Sequence, residues 1–218
     1  MNKKKFYRGK LPHFQPRGGT FFVTFRLYGS IPTLVLHKLK EEKRSFREYY
    51  LSISDPKNVK VSHFISKIDE YLAQLSNGPY WLAKKEIAET VSSSLHFWDK
   101  KRVDLICYCI MSNHVHAAVK VYKQLPNGEE YYLTDFMASV KKFSARRANI
   151  ILNRTGKPFW EEETYDSLIR TPESLQNVIT YIQQNPVKAG LVTQAQDWLW
   201  TYTNPQYYPT DNQTGKSQ

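Results

Sequence analysis

Two histidines one residue apart begin an apolar stretch in the segment MSNHVHAAVK, residues 111–120. Successive side chains of a β-strand alternate between its faces, so His114 and His116 would project side by side. Neighbouring imidazoles can bind one metal ion, but many such pairs are only polar residues on a half-exposed strand. The spacing alone leaves both interpretations open.

A second feature with possible chemistry lies in TYIQQNPVKAG, residues 180–190. Tyr181 and Asn185 are four residues apart, so on a helix they share a face. The pattern places both at the border of an apolar stripe that would anchor the helix, formed by Leu175, Val178, Ile179 and Ile182. A phenol can serve as a nucleophile, although most of the 15 tyrosines in this chain must serve packing.

Two cysteines precede the histidines and permit a different metal site. A tight turn at Ser112-Asn113 would set Cys109 opposite His116 on the same sheet face. Structural zinc sites usually have wider spacings within each ligand pair, and both thiols lie inside an apolar run where cysteine behaves as a small hydrophobic residue. Zinc is therefore the less favoured alternative, and the spacing of Cys107 and Cys109 is also poor for a mutual disulfide.

The charge of the chain indicates a polyanionic partner. Its 218 residues include 31 Lys+Arg and 20 Asp+Glu, which gives a formal net charge of +11. No stretch approaches the roughly 20 apolar residues that a membrane helix needs, and no apolar signal region follows the basic start. We therefore expect a cytoplasmic protein that does not associate with membranes.

The elements that would position the histidines and the tyrosine follow from periodicity. Strands are predicted near residues 20–29, 100–111 and 114–122, with the last two joined in a hairpin at Ser112-Asn113. Helical spacing occurs at about 34–50, 60–75 and 82–98, and in a basic helix with its N-cap at Thr134 or Asp135. A last helix of roughly 12 to 14 residues would begin at Thr171-Pro172-Glu173 and end at the stop signals Asn185-Pro186 and Gly190. This order predicts an α+β fold, a ferredoxin/RRM-like plait with a central antiparallel sheet and helices packed on it.

The domain organisation is predicted to be simple. Residues 1–202 form a single domain with a helical insert at about 34–81. From Thr203 to residue 218 the chain is polar, contains prolines and has almost no aliphatic residues, so it is expected to be a flexible tail.

The two motifs together resemble a known family. IMSNHVHAAV resembles the Met-Pro-Asn-His-Val-His strand motif of the HUH-type single-strand tyrosine transposases, and YIQQNPVKAGLV resembles the tyrosine helix of their REP-associated branch. RGKLPHF, VKKFSARRAN, FWEEETYDSLIR and DWLWTY also look like that branch, so the likeness covers most of residues 8–202. The sequence departs from the motif at Ser112, where the family usually has proline.

This resemblance implies an insertion-sequence-like transposase and endonuclease that cleaves and rejoins single-stranded, hairpin-containing DNA through a covalent 5′-phosphotyrosine intermediate. Tyr181 matches the nucleophile of the family, and His114 and His116 match its metal-binding pair. Asn185 matches a polar residue that can complete the metal site. The implied cofactor is a divalent metal, Mg²⁺ or Mn²⁺. Whether the protein is a monomer or a homodimer is left open.

Residues for DNA binding are predicted mainly in the basic helix, where four cations at near-helical spacing could contact successive phosphates: Lys141, Lys142, Arg146 and Arg147. A solvated helix face would explain the same pattern. Lys188, one turn beyond Asn185, is a candidate for assisting Tyr181 or binding DNA, and equally a charge that favours the helix dipole. His13 and Arg17 in PHFQPRGG suit contact with unpaired bases, or an ordinary loop.

A non-catalytic function is the alternative. A nucleic-acid-binding module with the same plait would bind DNA or RNA through basic and aromatic residues, and its binding would be sensitive to salt and indifferent to EDTA. Such a module needs neither metal ligands nor a tyrosine nucleophile. The presence of both motifs therefore favours the enzyme.

Overall fold

The fold consists of one main sheet with helices on both of its faces. The computed structural model describes residues 6–8, 12–32, 35 and 78–208. The helices predicted at 34–50 and 60–75, and nearly all of the predicted insert at 34–81, lie outside these described residues.

Seven strands are present in the described part of the chain. They are β1 (Phe6–Arg8), β2 (Pro12–Phe14), β3 (Thr20–Arg26), β4 (Val103–Ile110), β5 (His114–Val121), β6 (Tyr165–Ile169) and β7 (Thr201–Thr203). β1 and β2 form a separate small hairpin, and the other five form an antiparallel sheet in the order β6-β3-β5-β4-β7. Gly18, with φ of 72°, turns the chain from β2 into β3.

Three α-helices of the described residues connect these strands: α1 (Lys85–His96), α2 (Leu133–Ile151) and α3 (Pro172–Lys188). The chain order β3-α1-β4-β5-α2-β6, with its strands arranged β6-β3-β5-β4, is that of a ferredoxin-like plait. The predicted α+β plait is therefore confirmed. None of the described helices is long and apolar enough to span a bilayer.

Each face of the sheet carries its own apolar layer. On the first face, α1 and α2 cover alternate residues of the central strands, among them Phe21, Phe25, Val115 and Val119. On the second face, α3 covers the residues between them, among them Phe22, Ala118, Cys107 and Cys109. The apolar character of both faces of β4 follows from this double coverage.

Two helix boundaries differ from the prediction. The predicted N-cap at Thr134 or Asp135 is wrong, because Tyr132 is the N-cap and the Asp135 carboxylate accepts a hydrogen bond from the Tyr132 backbone N–H at 3.2 Å. The predicted stop at Asn185-Pro186 and the length of roughly 12 to 14 residues are also wrong, because α3 runs for 17 residues through Pro186 to Lys188. The stop predicted at Gly190 agrees with the structure, where this glycine follows the helix end with φ of 68°. Asn185 and Pro186 are buried, so packing on the sheet outweighs the local preference against helix before a proline.

The polar C-terminal run is packed at least to residue 208. Thr203 pairs with Cys107 in the sheet, and the buried Asn204 donates its backbone N–H to the Ile106 carbonyl oxygen at 2.8 Å. Tyr207 packs against the second apolar layer. The prediction of a flexible tail is therefore wrong for residues 203–208, because hydrogen bonds to the sheet hold a segment that lacks aliphatic residues. Residues 209–218 lie outside the described part, and the division at 202 stays a prediction.

Candidate active site

The two histidines lie side by side at the start of β5, on the second face of the sheet. Their Nε2 atoms are 3.1 Å apart. His114 is 3% exposed and His116 is fully buried. Across the sheet, Arg26 of β3 is paired with His114, while Thr24 of β3 and Cys109 of β4 flank His116. The strand thus gives the pair the shared face that its spacing predicted.

The Nδ1 atom of each imidazole lies within hydrogen-bond distance of a polar side chain. The Nδ1 atom of His114 is 2.7 Å from Asn113 Oδ1, and the Nδ1 atom of His116 is 2.8 Å from Thr24 Oγ1. An amide oxygen can only accept, so this contact favours the neutral form of His114 with its proton on Nδ1, in which the Nε2 lone pair can bind a metal ion. Such contacts fix ring orientation in metal sites.

Burial, and then the neighbouring His116, holds the pKa of His114 well below its ordinary value. His114 is therefore neutral at physiological pH. The neutral imidazole is the form that binds a metal ion.

Tyr181 of α3 packs against His116 on the second face of the sheet. Its ring centroid is 5.7 Å from that of His116 and 5.8 Å from that of Phe22, with both rings nearly perpendicular to it. The Lys188 ammonium lies over the Tyr181 ring at 4.7 Å from the centroid. The phenol oxygen is buried and has no hydrogen-bond partner among the described residues. A buried hydroxyl without a partner is uncommon, and this one stands beside two imidazoles.

Asn185 lies one turn after Tyr181 and is 5% exposed. It belongs to the buried face of α3 together with Ile179, Ile182 and Pro186. The sequence pattern placed Asn185 at the border of the apolar stripe, whereas the structure places it within the covered face. Its amide is therefore on the side of the helix that faces the sheet.

The pair fits a divalent cation. Two neighbouring ligands of an octahedral ion, each at about 2.1 Å, are about 3.0 Å apart. The imidazole Nε2 atoms, at 3.1 Å, match this separation. In the described part of the chain, no group of three or more His, Cys, Asp or Glu side chains is arranged to hold a metal. Among the described residues, a further protein ligand would be a neutral one such as the Asn185 amide oxygen, and solvent and substrate could supply others.

The cysteines do not support the zinc alternative. Cys109 is opposite His116, as the hairpin predicted. Its thiol, however, lies 3.5 Å from Met111 Sδ and accepts a hydrogen bond from Thr201 Oγ1 at 3.4 Å. Burial raises the pKa of Cys107 and of Cys109 to about 12, so without a metal both thiols are protonated near neutral pH. Both pack in the second apolar layer.

Three of the predicted DNA-binding residues are exposed on α2: Lys142, Arg146 and Arg147. Because α2 packs on the first face, these cations lie on the other side of the sheet from His114 and His116. Lys188 is exposed at the end of α3, on the same side as the histidines. A nucleic acid would therefore have to reach both sides of the sheet to meet all of them.

The structure describes the side chain of only one of the two N-terminal candidates for DNA binding, Arg17 and His13. Arg17 is exposed and forms an ion pair with Glu130, whose other carboxylate oxygen accepts from the Tyr132 hydroxyl at 2.7 Å. Its charge is thus balanced within the protein. The side chain of His13 lies outside the described part of the structure.

Lys141 differs from its neighbours on α2. Its ammonium donates to the backbone carbonyls of Glu161 at 2.9 Å and Glu162 at 3.1 Å, and it ties α2 to the segment before β6. Burial lowers the pKa of Lys141 to about 8. Lys141 thus has a structural role, and its contact with DNA stays a prediction.

Replacing Lys141 with methionine should change how stability depends on pH. The Lys141 pKa is about 8 in the folded chain and 10.5 for the free side chain, so the unfolded chain binds more protons between these values. The free energy of unfolding of the wild type should therefore rise through this window relative to that of Lys141→Met. Chemical denaturation at several pH values measures it, with the exposed Lys142→Met as control. Parallel pH profiles for wild type and Lys141→Met would contradict this expectation.

Several residues around the histidines were not predicted from the sequence. Arg26 is 4% exposed and donates to Ser30 Oγ at 3.1 Å and to Glu161 Oε1 at 3.2 Å. Thr24 and Asn113, which hold the imidazoles, were also missed. The alternation of β3 contained a signal, because polar Thr24 and Arg26 share the face of Phe22 in an otherwise apolar strand.

Comparisons with known proteins agree with this geometry. A family described as "Transposase IS200 like" matches residues 77–185, which is half of the chain and includes both histidines, Tyr181 and Asn185. A Haemophilus influenzae protein provisionally described as a REP-associated tyrosine transposase is 27% identical over 120 residues. That match covers 50% of this chain and 65% of the relative, so the chain spans slightly less than two thirds of the relative's length.

A solved structure shows the same fold. It is that of a REP-associated tyrosine transposase bound to a REP hairpin, and it matches with a TM-score of 0.52 and 14% sequence identity, over 89% of this chain and 82% of that chain. At this identity the likeness concerns the fold alone. The family match over half of the sequence, which contains the histidine pair and the tyrosine helix, shows that the chain belongs to the IS200-like transposases.

Proposed function

We propose that this transposase is a metal-dependent endonuclease that cleaves and rejoins single-stranded, hairpin-containing DNA through a covalent 5′-phosphotyrosine intermediate. The observation that carries the proposal is the contact of Tyr181 with His116 at 5.7 Å between ring centroids. It brings a phenol with an unpartnered oxygen next to a pair of imidazoles within one chain. Membership of the IS200-like family supports the same chemistry.

In the proposed reaction Tyr181 is the nucleophile. Its oxygen forms a bond to phosphorus while the bond from phosphorus to the 3′ oxygen breaks, the phenol proton leaves, and the departing strand takes up a proton as a 3′-hydroxyl. The other strand stays joined to Tyr181 through its 5′-phosphate. Attack by a different 3′-hydroxyl reverses these steps and rejoins DNA without ATP.

Neighbouring residues orient this attack. Phe22 and His116, which stack on each other, both contact the Tyr181 ring, and the Lys188 ammonium lies over that ring, so these contacts hold the phenol in place. His114, His116 and Asn185 would hold Mg²⁺ or Mn²⁺. A divalent ion held there would supply positive charge to offset the negative charge of the phosphate during in-line displacement.

The polarity of cleavage gives a specific test of the proposed function. A hairpin-containing single strand is labelled at its 5′ end in one sample and at its 3′ end in another, and each is incubated with the full chain and Mn²⁺. The 3′-labelled strand should migrate with the protein in denaturing gels, whereas the 5′-labelled piece should be released with a free 3′-hydroxyl. EDTA should prevent both. A 5′ label on the protein, or no adduct at all, would rule out a 5′-phosphotyrosine.

The exposed cations of α2 should contribute to DNA affinity, and this contribution should fall as the salt concentration rises. Each phosphate contact to single-stranded DNA adds about 0.7 to the slope of log affinity against log salt concentration. A triple variant in which Lys142, Arg146 and Arg147 become glutamine should therefore lower that slope by about 2. Fluorescence anisotropy across a salt series measures it.

The control for the triple variant is Lys85→Gln, which changes an exposed lysine of α1 that lies 3.8 Å from Glu89. This variant should keep the wild-type slope. An unchanged slope in the triple variant would show that α2 does not contact the DNA phosphates.

A further inference from the structure

We propose that the outer surface of α2 binds an unpaired stretch of the substrate strand, with Phe143 as the ring on which one base stacks. This inference rests on the proposed function, which takes single-stranded DNA as the substrate. Phosphate contacts alone do not distinguish paired from unpaired DNA, whereas a stacked base does. The Phe143 ring would therefore give this side of the sheet a preference for unpaired DNA.

Cations and apolar side chains share the exposed surface of α2. Residues four apart on a helix are neighbours. The exposed positions from residue 142 onward form two rows at this spacing: Lys142, Arg146 and Ile150, and Phe143, Arg147 and Ile151. Phe143 is 52% exposed and Ile150 is 53% exposed, although α2 also buries a separate apolar side against the sheet. Arg146 and Arg147 follow Phe143 by three and four residues, so both are its neighbours on the helix surface.

The positive charges of this surface are not balanced by carboxylates. In the described part of the chain, no ion pair involves Lys142, Arg146 or Arg147. The acidic residue of α2 is Asp135, which lies in the first turn and accepts a hydrogen bond from the Tyr132 backbone N–H. The surface thus has the charge that a polyanion requires.

The Phe143 ring is available for stacking. A second exposed phenyl ring, that of Phe97, is 57% exposed and is already covered by other groups. The Trp98 ring lies 4.6 Å from it, and the Lys101 ammonium lies over it at 4.6 Å from its centroid. No ring or cation of the described residues makes such a contact with Phe143. An uncovered phenyl ring beside two arginines suits the flat face of a base.

Three other partners suit this surface less well. Duplex DNA keeps its bases stacked inside, so it would meet the cations and leave the Phe143 ring without a base. A second copy joined through the same surface would bring the cations of both chains together without carboxylates between them. A membrane-bound helix places its apolar side in the lipid interface, whereas the apolar side of α2 is buried on the sheet. Unpaired DNA uses the ring and the cations together.

The first test is the affinity of the full chain for a single-stranded hairpin substrate with unpaired flanks, measured by fluorescence anisotropy in EDTA. Phe143→Ala should bind about 5- to 150-fold more weakly, the range for the loss of one base–aromatic stack. Its salt slope should equal that of the wild type, because a phenyl ring carries no charge. Phe143→Leu should lose affinity like Phe143→Ala, whereas Phe143→Trp should keep it, since only an aromatic ring stacks.

The matched control is Phe97→Ala, which removes an equally exposed ring that Lys101 already covers and should bind DNA like the wild type. Phe143→Ala should also keep its affinity for a fully paired duplex. Wild-type affinity of Phe143→Ala for the single strand, or an equal loss for the duplex, would overturn the stacking. So would weaker binding of this variant to phosphatidylserine vesicles with unchanged DNA affinity, which would favour a membrane.

The second test needs only the wild type, so it does not depend on how a variant folds. 5-Iodouracil replaces each unpaired base in turn, and one paired base of the stem, and the irradiated complex is analysed by tandem mass spectrometry. At least one unpaired position should crosslink to Phe143, and the stem position should not. If no unpaired position crosslinks to Phe143, the stacking is overturned.

The same strands incubated with Mn²⁺ separate this inference from the proposed function. A Tyr181 adduct without a Phe143 crosslink would leave the proposed cleavage intact and overturn the role of Phe143. A Phe143 crosslink without any adduct would support the base contact while the proposed cleavage fails.

Discussion

Tyr181→Phe is expected to abolish the covalent protein–DNA adduct, with a loss of at least about 10³-fold. The substitution removes one oxygen atom, which has no hydrogen-bond partner among the described residues, and keeps the ring that contacts Phe22 and His116. Folding and DNA affinity should therefore stay near those of the wild type. Denaturing gel electrophoresis of the protein after incubation with hairpin DNA and Mn²⁺ measures the adduct.

Tyr165→Phe is the matched control for the nucleophile. Tyr165 is also buried and lies on the second face, where it is paired with Thr24. Burial raises the pKa of its phenol, which disfavours the phenolate needed for attack. Tyr165→Phe should form the adduct, and an adduct that survives in Tyr181→Phe but disappears in Tyr165→Phe would reverse the assignment.

His114→Ala and His116→Ala should each lower Mn²⁺-dependent cleavage by more than about 100-fold. Loss of an outer partner alone costs about 10- to 100-fold, and loss of an imidazole removes a ligand itself. Initial rates of strand cleavage over a series of Mn²⁺ concentrations measure the effect. Addition of more Mn²⁺ should recover only part of it, because the site loses one of its few protein ligands.

Two controls distinguish a histidine site within one chain from a zinc site and from a site shared by two copies. Cys109→Ser should cleave like the wild type, because its thiol packs against Met111 and is not required as a ligand. A mixture of His114→Ala and Tyr181→Phe should stay inactive, because the contact of Tyr181 with His116 is made within one chain. Recovery of cleavage in the mixture would show that two copies share the site, and loss of cleavage in Cys109→Ser would favour zinc.

The shared face of the histidines was predictable because it depends only on local geometry. A strand period of two puts His114 and His116 on one side, and the short turn at Ser112-Asn113 makes Cys109 the neighbour of His116. The contact of Tyr181 with His116 could not be predicted from residue spacing, because it depends on how α3 packs on the second face. Only the resemblance of the two motifs to a known family connected Tyr181 with the histidines.

The residues behind the imidazoles could not be predicted in the same way. Thr24 meets His116 because β3 and β5, far apart in sequence, pair in one particular register. Lys141 illustrates the same limit on a helix. Its charge suggested a phosphate contact, but its ammonium reaches backbone carbonyls at Glu161 and Glu162 that only the fold brings near.

Long-range packing also explains the errors at the ends of the elements. Local backbone preferences predict that a helix ends before Pro186. In the structure α3 continues to Lys188, because Asn185 and Pro186 are buried against the sheet. The composition of residues 203–208 predicts a flexible tail. In the structure, however, Thr203 Oγ1 accepts a hydrogen bond from Gln183 Nε2 at 3.0 Å, and this contact joins β7 to α3. In both places tertiary contacts outweigh the local preference.

Identification of the residue that bears the DNA tests the central claim most directly. The full chain is incubated with single-stranded hairpin DNA and Mn²⁺, digested with nuclease and protease, and analysed by tandem mass spectrometry. We expect a nucleotide joined through its 5′-phosphate to Tyr181. A nucleotide on Tyr165 or on any other residue, or cleavage without a covalent product, would contradict it.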